Sequence, residues 1–322
     1  MPQSNTPNAA VGLMGRPYLL LVLTTLFWGG NAVAGKAAVG NIDPYVLILL
    51  RWAGAFLVLI PFAVTPVKRD WPVLRARWWL YLFYGAVGYA VFNVLLYLAA
   101  YFTLGVNTAI DQVAINIFVM LLNFALYRTR VRALQLVGVA LTILGVALTA
   151  THGNLTRILS LDINFGDLLV LCASLAYALY SIALRYRPQT SWLSFLFASF
   201  LGAAAASVGF QLTLGGGVAP FIAALPLITP LGWLIVAYTV IFPSLISQML
   251  YVRGVELIGA NRASLFINLI PLFGAVGAVL LLHEQLQPFH FVAGILIAVG
   301  IGLAEWSARR QPKPLSSTLR RP

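Results

Sequence analysis

The sequence predicts an all-α integral membrane protein of ten transmembrane helices, arranged as two inverted five-helix repeats. Three observations carry that prediction. The first is composition: 61% of residues are hydrophobic and 9% charged, with a mean hydropathy of +0.92, outside the range of soluble domains. The second is length, because 322 residues at ~20 apolar residues per span hold roughly ten spans joined by short loops. The third is an internal similarity between the halves, described below.

In order, the apolar runs place spans at 18–39, 44–64, 79–102, 108–127, 133–150, 166–186, 191–214, 230–251, 260–282 and 288–306. The first is too long for a signal-peptide core and lacks a cleavage site, so it is expected to be retained. It contains Trp28-Gly29-Gly30-Asn31 and, a little later, Gly35-Lys36. Such a polar, glycine-broken stretch is tolerated at membrane depth where it faces other helices or a cavity. Its other reading is close helix packing at the glycines with Lys36 snorkelling to the surface. The second span opens at Pro44 and carries Arg51. The third follows the interfacial anchors Trp71, Trp78 and Trp79, and the fourth carries Asp111. The seventh is Ala-rich and ends in Gly215-Gly216-Gly217, before an apolar loop expected to lie partly in the interface. The tenth ends at Trp306 before a basic tail.

Charge sets the orientation. The N-terminus, alternate loops and tail hold seventeen of the twenty Lys and Arg, among them Arg16, Lys68, Arg128, Arg130, Arg132, Arg185, Arg253 and Arg262. The opposite loops hold Arg157 alone, so both termini are expected in the cytoplasm and the span count is even. The pI near 10.2 reflects these loops and not nucleic-acid binding. Cys172, the single cysteine, has no partner for a disulfide.

Trp28-Gly29 with Lys36 aligns with Tyr177-Ala178 and Arg185 at an offset of 149 residues. Gly105-Val106-Asn107-Thr108-Ala109 aligns with Gly259-Ala260-Asn261-Arg262-Ala263 at an offset of 154, which also superposes Tyr97 on Tyr251. Internal similarity of this kind marks transporter folds, and an odd number of spans per half inverts the second copy. The expected division is a first repeat over 1–150, a periplasmic connection over 151–164, and a second repeat with its basic tail over 165–322. The Asn154-Leu155-Thr156 sequon in the connection is read as chance.

Phe27-Trp28-Gly29-Gly30-Asn31 leading to Lys36, Arg51 in the second span, Gly166-Asp167 opening the sixth, Pro271 in the ninth, and His283-Glu284 followed by Gly294 together resemble the drug/metabolite transporter superfamily, in its ten-helix EamA branch. The resemblance runs from about Tyr18 to Trp306. Within the branch the chain is most similar to bacterial YddG-type exporters of aromatic amino acids. One departure is Arg130, which stands where the family often has an acidic residue. The resemblance implies that the first, third, fourth, sixth, eighth and ninth spans line a central cavity.

No phosphate-binding loop, nucleophile elbow or zinc motif is present, so neither an enzyme, a cofactor nor a metal is expected. The polar residues inside spans are the site candidates. An unpaired amide in hydrocarbon costs several kcal/mol, so each must face another helix, water or a ligand. Trp28, Asn31, Lys36, Asn93, Tyr97, Asn116, Tyr177, Ser244, Gln248 and Asn268 are the expected substrate-binding set. Gly85, Gly88, Pro243 and Pro271 are expected at gates. Arg51 and Asp111 are the ionic candidates, with Asp111 neutralising Lys36 or Arg51. Lys36 is expected to meet a substrate carboxylate, and Arg51 to sit outside the lining. The alternative is a structural Arg51–Asp111 pair with Lys36 in the headgroups. The expected function is export of small amphipathic metabolites, aromatic and other amino acids foremost, across a bacterial inner membrane. The protein is expected to work as a monomer by alternating access, with the bilayer and a small molecule as its partners. A polyspecific drug exporter or an importer of the same fold, and a non-transporting membrane protein, are the rivals.

Overall fold

The computed structural model describes residues 13–128, 133–154, 164–258 and 266–309, and every regular element among them is helical. Arg130, Arg157, the Gly259–Ala263 motif, the sequon threonine Thr156 and the basic tail lie outside the described residues.

Helix α1 is Pro17–Ala38, with Pro17 where its missing N–H costs nothing. Helix α2 is Pro44–Ala76, capped by the Asp43 carboxylate, which accepts from the N–H groups of Tyr45 and Val46. Its 33 residues make a rod of ~50 Å, longer than the ~30 Å hydrocarbon layer, so the Lys68–Arg75 end reaches past it. The next span is α3 (Trp78–Gly85) and α4 (Phe92–Ala99), joined by a π-helical segment over Ala86–Val91. Helices α5 (Gly105–Asp111) and α6 (Ala114–Tyr127) form one span broken at Gln112 and Val113. Then follow α7 (Ala133–Ala150), α8 (Phe165–Ala183), capped by Asn164, and α9 (Trp192–Thr213), capped by Ser191. The apolar loop after α9 turns at Gly216 and Gly217, both at positive φ, which a glycine adopts without strain. It contains a short helix, α10 (Val218–Ala224), whose Val218 and Ile222 are exposed.

Helix α11 (Pro230–Thr239) runs through a second π-helical segment, Val240–Ile246, into α12 (Ser247–Ile258). Pro243 lies in that segment. It has no N–H for the ladder, and the wider turn accommodates it. The Ser244 hydroxyl donates to the Thr239 carbonyl at 2.8 Å and the Ser247 hydroxyl to the Phe242 carbonyl at 2.9 Å, taking up acceptors the irregular turn frees. Helix α13 is Ile270–Leu282 and α14 is Pro288–Arg309. Pro271 corrects an expectation: it stands in the first turn of α13, after a turn at Asn268 and Leu269. A proline there starts a helix without breaking a bond, so Pro271 does not kink a span.

Six segments are long and apolar enough to cross a membrane: Pro17–Ala38, Pro44–Ala76, Trp78–Ala99, Phe165–Tyr186, Trp192–Thr213 and Pro230–Val255. The shorter apolar helices include Ile117–Tyr127, Leu136–Thr149, Ile270–Leu282 and Pro288–Leu303. The chain is thus a multi-pass membrane protein.

The broad helix interfaces join the part before residue 150 to the part after 164: α7 with α14, α2 and α3 with α9, α1 with α12 and α13, α5 with α13, and α4 and α6 with α8. The largest apolar cluster accordingly mixes Trp52, Tyr84, Tyr89 and Tyr97 with Tyr180, Phe195, Phe200 and Val240. Small residues permit the closest contacts. A Cβ on Gly29 would come within 2.8 Å of the Gly274 backbone, and one on Gly35 within 2.8 Å of the Tyr97 ring. The glycines of the first span therefore serve close packing, while its Trp28 and Asn31 do something else.

Candidate substrate cavity

Arg51 is the centre of the buried polar residues. It comes from the third turn of α2 and is 3% exposed. Its Nε donates to Ser244 Oγ at 2.8 Å, and its Nη1 to Asn31 Oδ1 at 2.8 Å, Asn93 Oδ1 at 2.7 Å and the Tyr97 hydroxyl. The acceptors bond one another: Tyr97 donates to Asn31 Oδ1 at 2.8 Å and Asn31 Nδ2 to Asn93 Oδ1 at 3.2 Å. Asn93 Nδ2 is anchored on the Tyr89 carbonyl at 2.8 Å. The guanidinium lies 4.8 Å from the centre of the Trp52 ring, which stacks on Tyr89 at 4.9 Å and 14°.

Two features of Arg51 stand out. Its bonds use Nε and Nη1, leaving Nη2 without a hydrogen-bond partner among the described residues. It also has no carboxylate partner, since the one ion pair among the described residues is Arg69–Asp70 on the surface. An unpaired cation buried in a membrane protein is expensive.

Arg51 borders a small internal space of about 50 Å³, lined also by Trp28, Asn31, Trp52, Tyr89, Phe92, Asn93, Gln112, Tyr177 and Gln248. Trp28, Ile115, Tyr177, Gln248 and Ile267 are shared with a larger chamber of about 410 Å³. That chamber continues along Tyr180 and Ser181 to Leu184 and Arg187, at the C-terminal end of α8. Its size falls within the ~300–1,000 Å³ of small-molecule pockets. Aromatic rings contribute part of the wall: Trp28 packs on Tyr251 at 5.3 Å and Phe92 on Tyr177 at 5.2 Å. The Trp28 indole N–H donates to the Pro243 carbonyl at 3.1 Å, tying α1 to the π segment.

Of the expected binding residues, Trp28, Asn31, Asn93, Tyr177 and Gln248 line this space. Tyr97 and Ser244 hold Arg51 from behind. The Asn116 side chain lies outside what is described. Asn268 lines a different feature, an apolar groove between α13 and α14.

Lys36 is a correction. Its ammonium donates to the carbonyls of Ala100 at 2.7 Å and Thr103 at 2.8 Å. It therefore satisfies orphan acceptors just past the end of α4, where a cation also meets the helix dipole favourably. It is not in the cavity wall. Arg51 corrects the opposite expectation: α2 is apolar along most of its length, yet one turn presents Arg51 and Trp52 to the cavity. Asp111 pairs with neither cation. It is fully buried, its two oxygens have no hydrogen-bond partner among the described residues, and the charged group it interacts with there is Asp167 of α8.

Gly85 and Gly88 border or lie in the first π segment. A Cβ on Gly85 would come within 2.0 Å of the Ser199 carbonyl oxygen, and one on Gly88 within 2.4 Å of the Tyr180 ring. Trp52, Tyr89, Phe92 and Gln112 were missed as lining residues. Gln112, an amide beside Asp111 inside an apolar run, was the one with a visible signal. Glu284 was quoted above as a motif without a role. Its carboxylate accepts from the N–H groups of Gly105 at 2.8 Å and Val106 at 2.9 Å, capping α5 from 179 positions away.

Known proteins agree with this architecture. A crystal structure 18% identical in sequence superposes with a TM-score of 0.62, covering 91% of this chain and 98% of that one, which bears on the fold. An uncharacterized transporter of Bacillus subtilis, YyaM, is 24% identical over 294 residues, 88% of this chain and 93% of its own. An uncharacterized inner membrane transporter of Salmonella typhimurium, YicL, is 25% identical over 318 residues, covering 94% and 99%. None of these names carries a substrate. The model of the EamA-like transporter family matches twice, at residues 15–151 and 164–305, and the chain belongs to that family: a membrane transporter of the drug/metabolite transporter superfamily, and not an enzyme.

Proposed function

We propose that the protein exports small amphipathic carboxylates, amino acids with aromatic or apolar side chains foremost, by alternating access between two inverted five-helix halves. The observation that carries this reading is Arg51, a guanidinium bordering the cavity with no carboxylate partner among the described residues and Nη2 unengaged. A substrate carboxylate supplies the missing anion, and planar two-point recognition is what a guanidinium does best. The small inner space suits a carboxylate. The larger chamber suits a side chain lying against Trp28, Tyr177 and Tyr251.

Several features support paired halves. The two π segments, Ala86–Val91 and Val240–Ile246, begin 154 positions apart, the offset seen in the sequence. The span breaks at Gln112–Val113 and Asn268–Leu269 correspond, as do the left-handed residues Arg128 and His283 that end α6 and α13. The chamber extends toward Arg187, on the face whose loops carry most of the Lys and Arg. That side is the cytoplasm by the positive-inside rule, which supports loading from within and export.

The test is counterflow in proteoliposomes with radiolabelled L-phenylalanine against a panel of amino acids, their amides and unrelated amphipathic cations. Exchange of phenylalanine and tryptophan, with weak exchange of their amides, is the expected result. Preference for the cations points to a polyspecific drug exporter, and no exchange at all removes the reading.

A further inference from the structure

We propose that Asp111 and Asp167 form a shared proton-binding site, separate from the substrate cavity, that couples transport to the proton gradient. The proton site does not depend on which substrate is carried.

Both carboxyl groups are fully buried, on facing helices α5 and α8, close enough to interact electrostatically. None of their four oxygens has a partner at hydrogen-bond geometry among the described residues, although the Thr103 and Asn107 side chains lie close to Asp167. Polar groups at this depth are normally satisfied, and two like charges cannot both persist in so dry a place. Among the described residues no cation pairs with either carboxyl group. From α1 comes Lys36, committed to the Ala100 and Thr103 carbonyls. From the segment before α14 comes Glu284, committed to the α5 N-terminus, and from the first turn of α14 comes His290, whose ring bonds Asn107 Oδ1 at 3.0 Å and the Gln287 N–H at 2.9 Å. His152 bonds Asn164. Helices α7 and α13, which also pack on α5, carry no titratable residue.

One proton taken from water by either carboxyl removes one of the two charges. Thr103 and Asn107 flank Asp167, whereas Asp111 has no such neighbour.

Position connects this site to transport. Asp111 is the last residue of α5, immediately before the break at Gln112 and Val113, and the next residue, Gln112, lines the cavity beside Arg51. A change of charge at Asp111 therefore acts on the point where the helix is already interrupted, one residue from the substrate space. Broken helices are where transporters place coupling ions.

The deciding measurement is infrared difference spectroscopy of the purified protein in lipid across neutral pH. Wild type is expected to show the C=O band of a protonated buried carboxylic acid, shifted in Asp111→Asn and in Asp167→Asn and lost when both are replaced. No such band in wild type, or a band surviving both substitutions, overturns the proposal. A band abolished by sodium chloride and not by potassium chloride assigns the pair to a metal cation and overturns it too. The second arm is phenylalanine flux in proteoliposomes. Asp111→Asn is expected to keep counterflow and lose acceleration by an imposed pH gradient. Wild-type flux indifferent to the gradient removes the coupling. If phenylalanine is not carried at all, the substrate reading fails, while the infrared result still decides the proton site.

Discussion

Replacing Arg51 by lysine keeps a positive charge in the same turn of α2 but removes the planar fork. The wild-type guanidinium must do two things: hold Ser244, Asn31, Asn93 and Tyr97 and, in our proposal, receive a carboxylate. A lysine ammonium has three donors, so it can meet part of the network or the substrate but not both. A hydrogen bond to a charged group contributes about 1.5–3 kcal/mol, which corresponds to roughly tenfold to over a hundredfold in affinity. Arg51→Lys is therefore expected to weaken phenylalanine binding by one to two orders of magnitude, while phenylalaninamide changes by less than about threefold. The assay is competition for labelled phenylalanine in proteoliposomes, with the acid-to-amide ratio as the readout. Arg51→Ala is less informative, because each acceptor left unsatisfied costs ~1–3 kcal/mol and the protein would be lost before transport is measured. Equal losses for acid and amide would falsify the carboxylate role and leave Arg51 as a structural hub. An unchanged ratio in a folded protein places the anion elsewhere.

Three further outcomes follow from the same contacts. Lys36→Met strips the donor from the Ala100 and Thr103 carbonyls, so thermal unfolding in detergent should show a loss of about 1–3 kcal/mol with the acid-to-amide ratio intact; a changed ratio returns Lys36 to the cavity. Glu284→Ala removes the cap from α5 and should cost about 0.5–2 kcal/mol, with Glu284→Gln retaining part of it; equal stability of all three proteins argues against the cap. Gly88→Ala drives a methyl group to 2.4 Å from the Tyr180 ring, and overpacking of that kind costs about 1–3 kcal/mol. Wild-type stability and flux in Gly88→Ala would mean that the π segment yields easily.

Membrane residence, the broad placement of the spans and the family were all legible in the chain, because each rests on local sums. Hydropathy over ~20 residues needs no knowledge of neighbours, and the Gly-rich first span with its Asn31 is conspicuous in any apolar background. Local irregularity was less legible. The π segment at Pro243 had a visible cause, whereas the one at Ala86–Val91 contains no proline and only Gly88, with Gly85 before it, as a cue. The break at Gln112–Val113 likewise has neither glycine nor proline to announce it. The site was half legible. Asn31, Asn93, Tyr177 and Gln248 declare themselves as amides and a phenol inside apolar runs, and all four line the cavity. The choice between Lys36 and Arg51 could not be made along the chain. A cation's role depends on what lies within about 3 Å of it, and those atoms come from far away: Ala100 and Thr103 for Lys36, Asn93, Tyr97 and Ser244 for Arg51. Counting polar residues per helix weighted α2 too low, because a helix needs only one turn facing inward to supply the central charge. Asp111 repeats the point. The scarcity of charges inside the spans suggested Lys36 or Arg51 as its partner, and packing of α5 against α8 set it near a second carboxylate instead. What the chain determines by itself is which residues must leave the lipid; which partner each one then meets is decided by helix packing, since that alone sets the distances on which charge and hydrogen bonding depend.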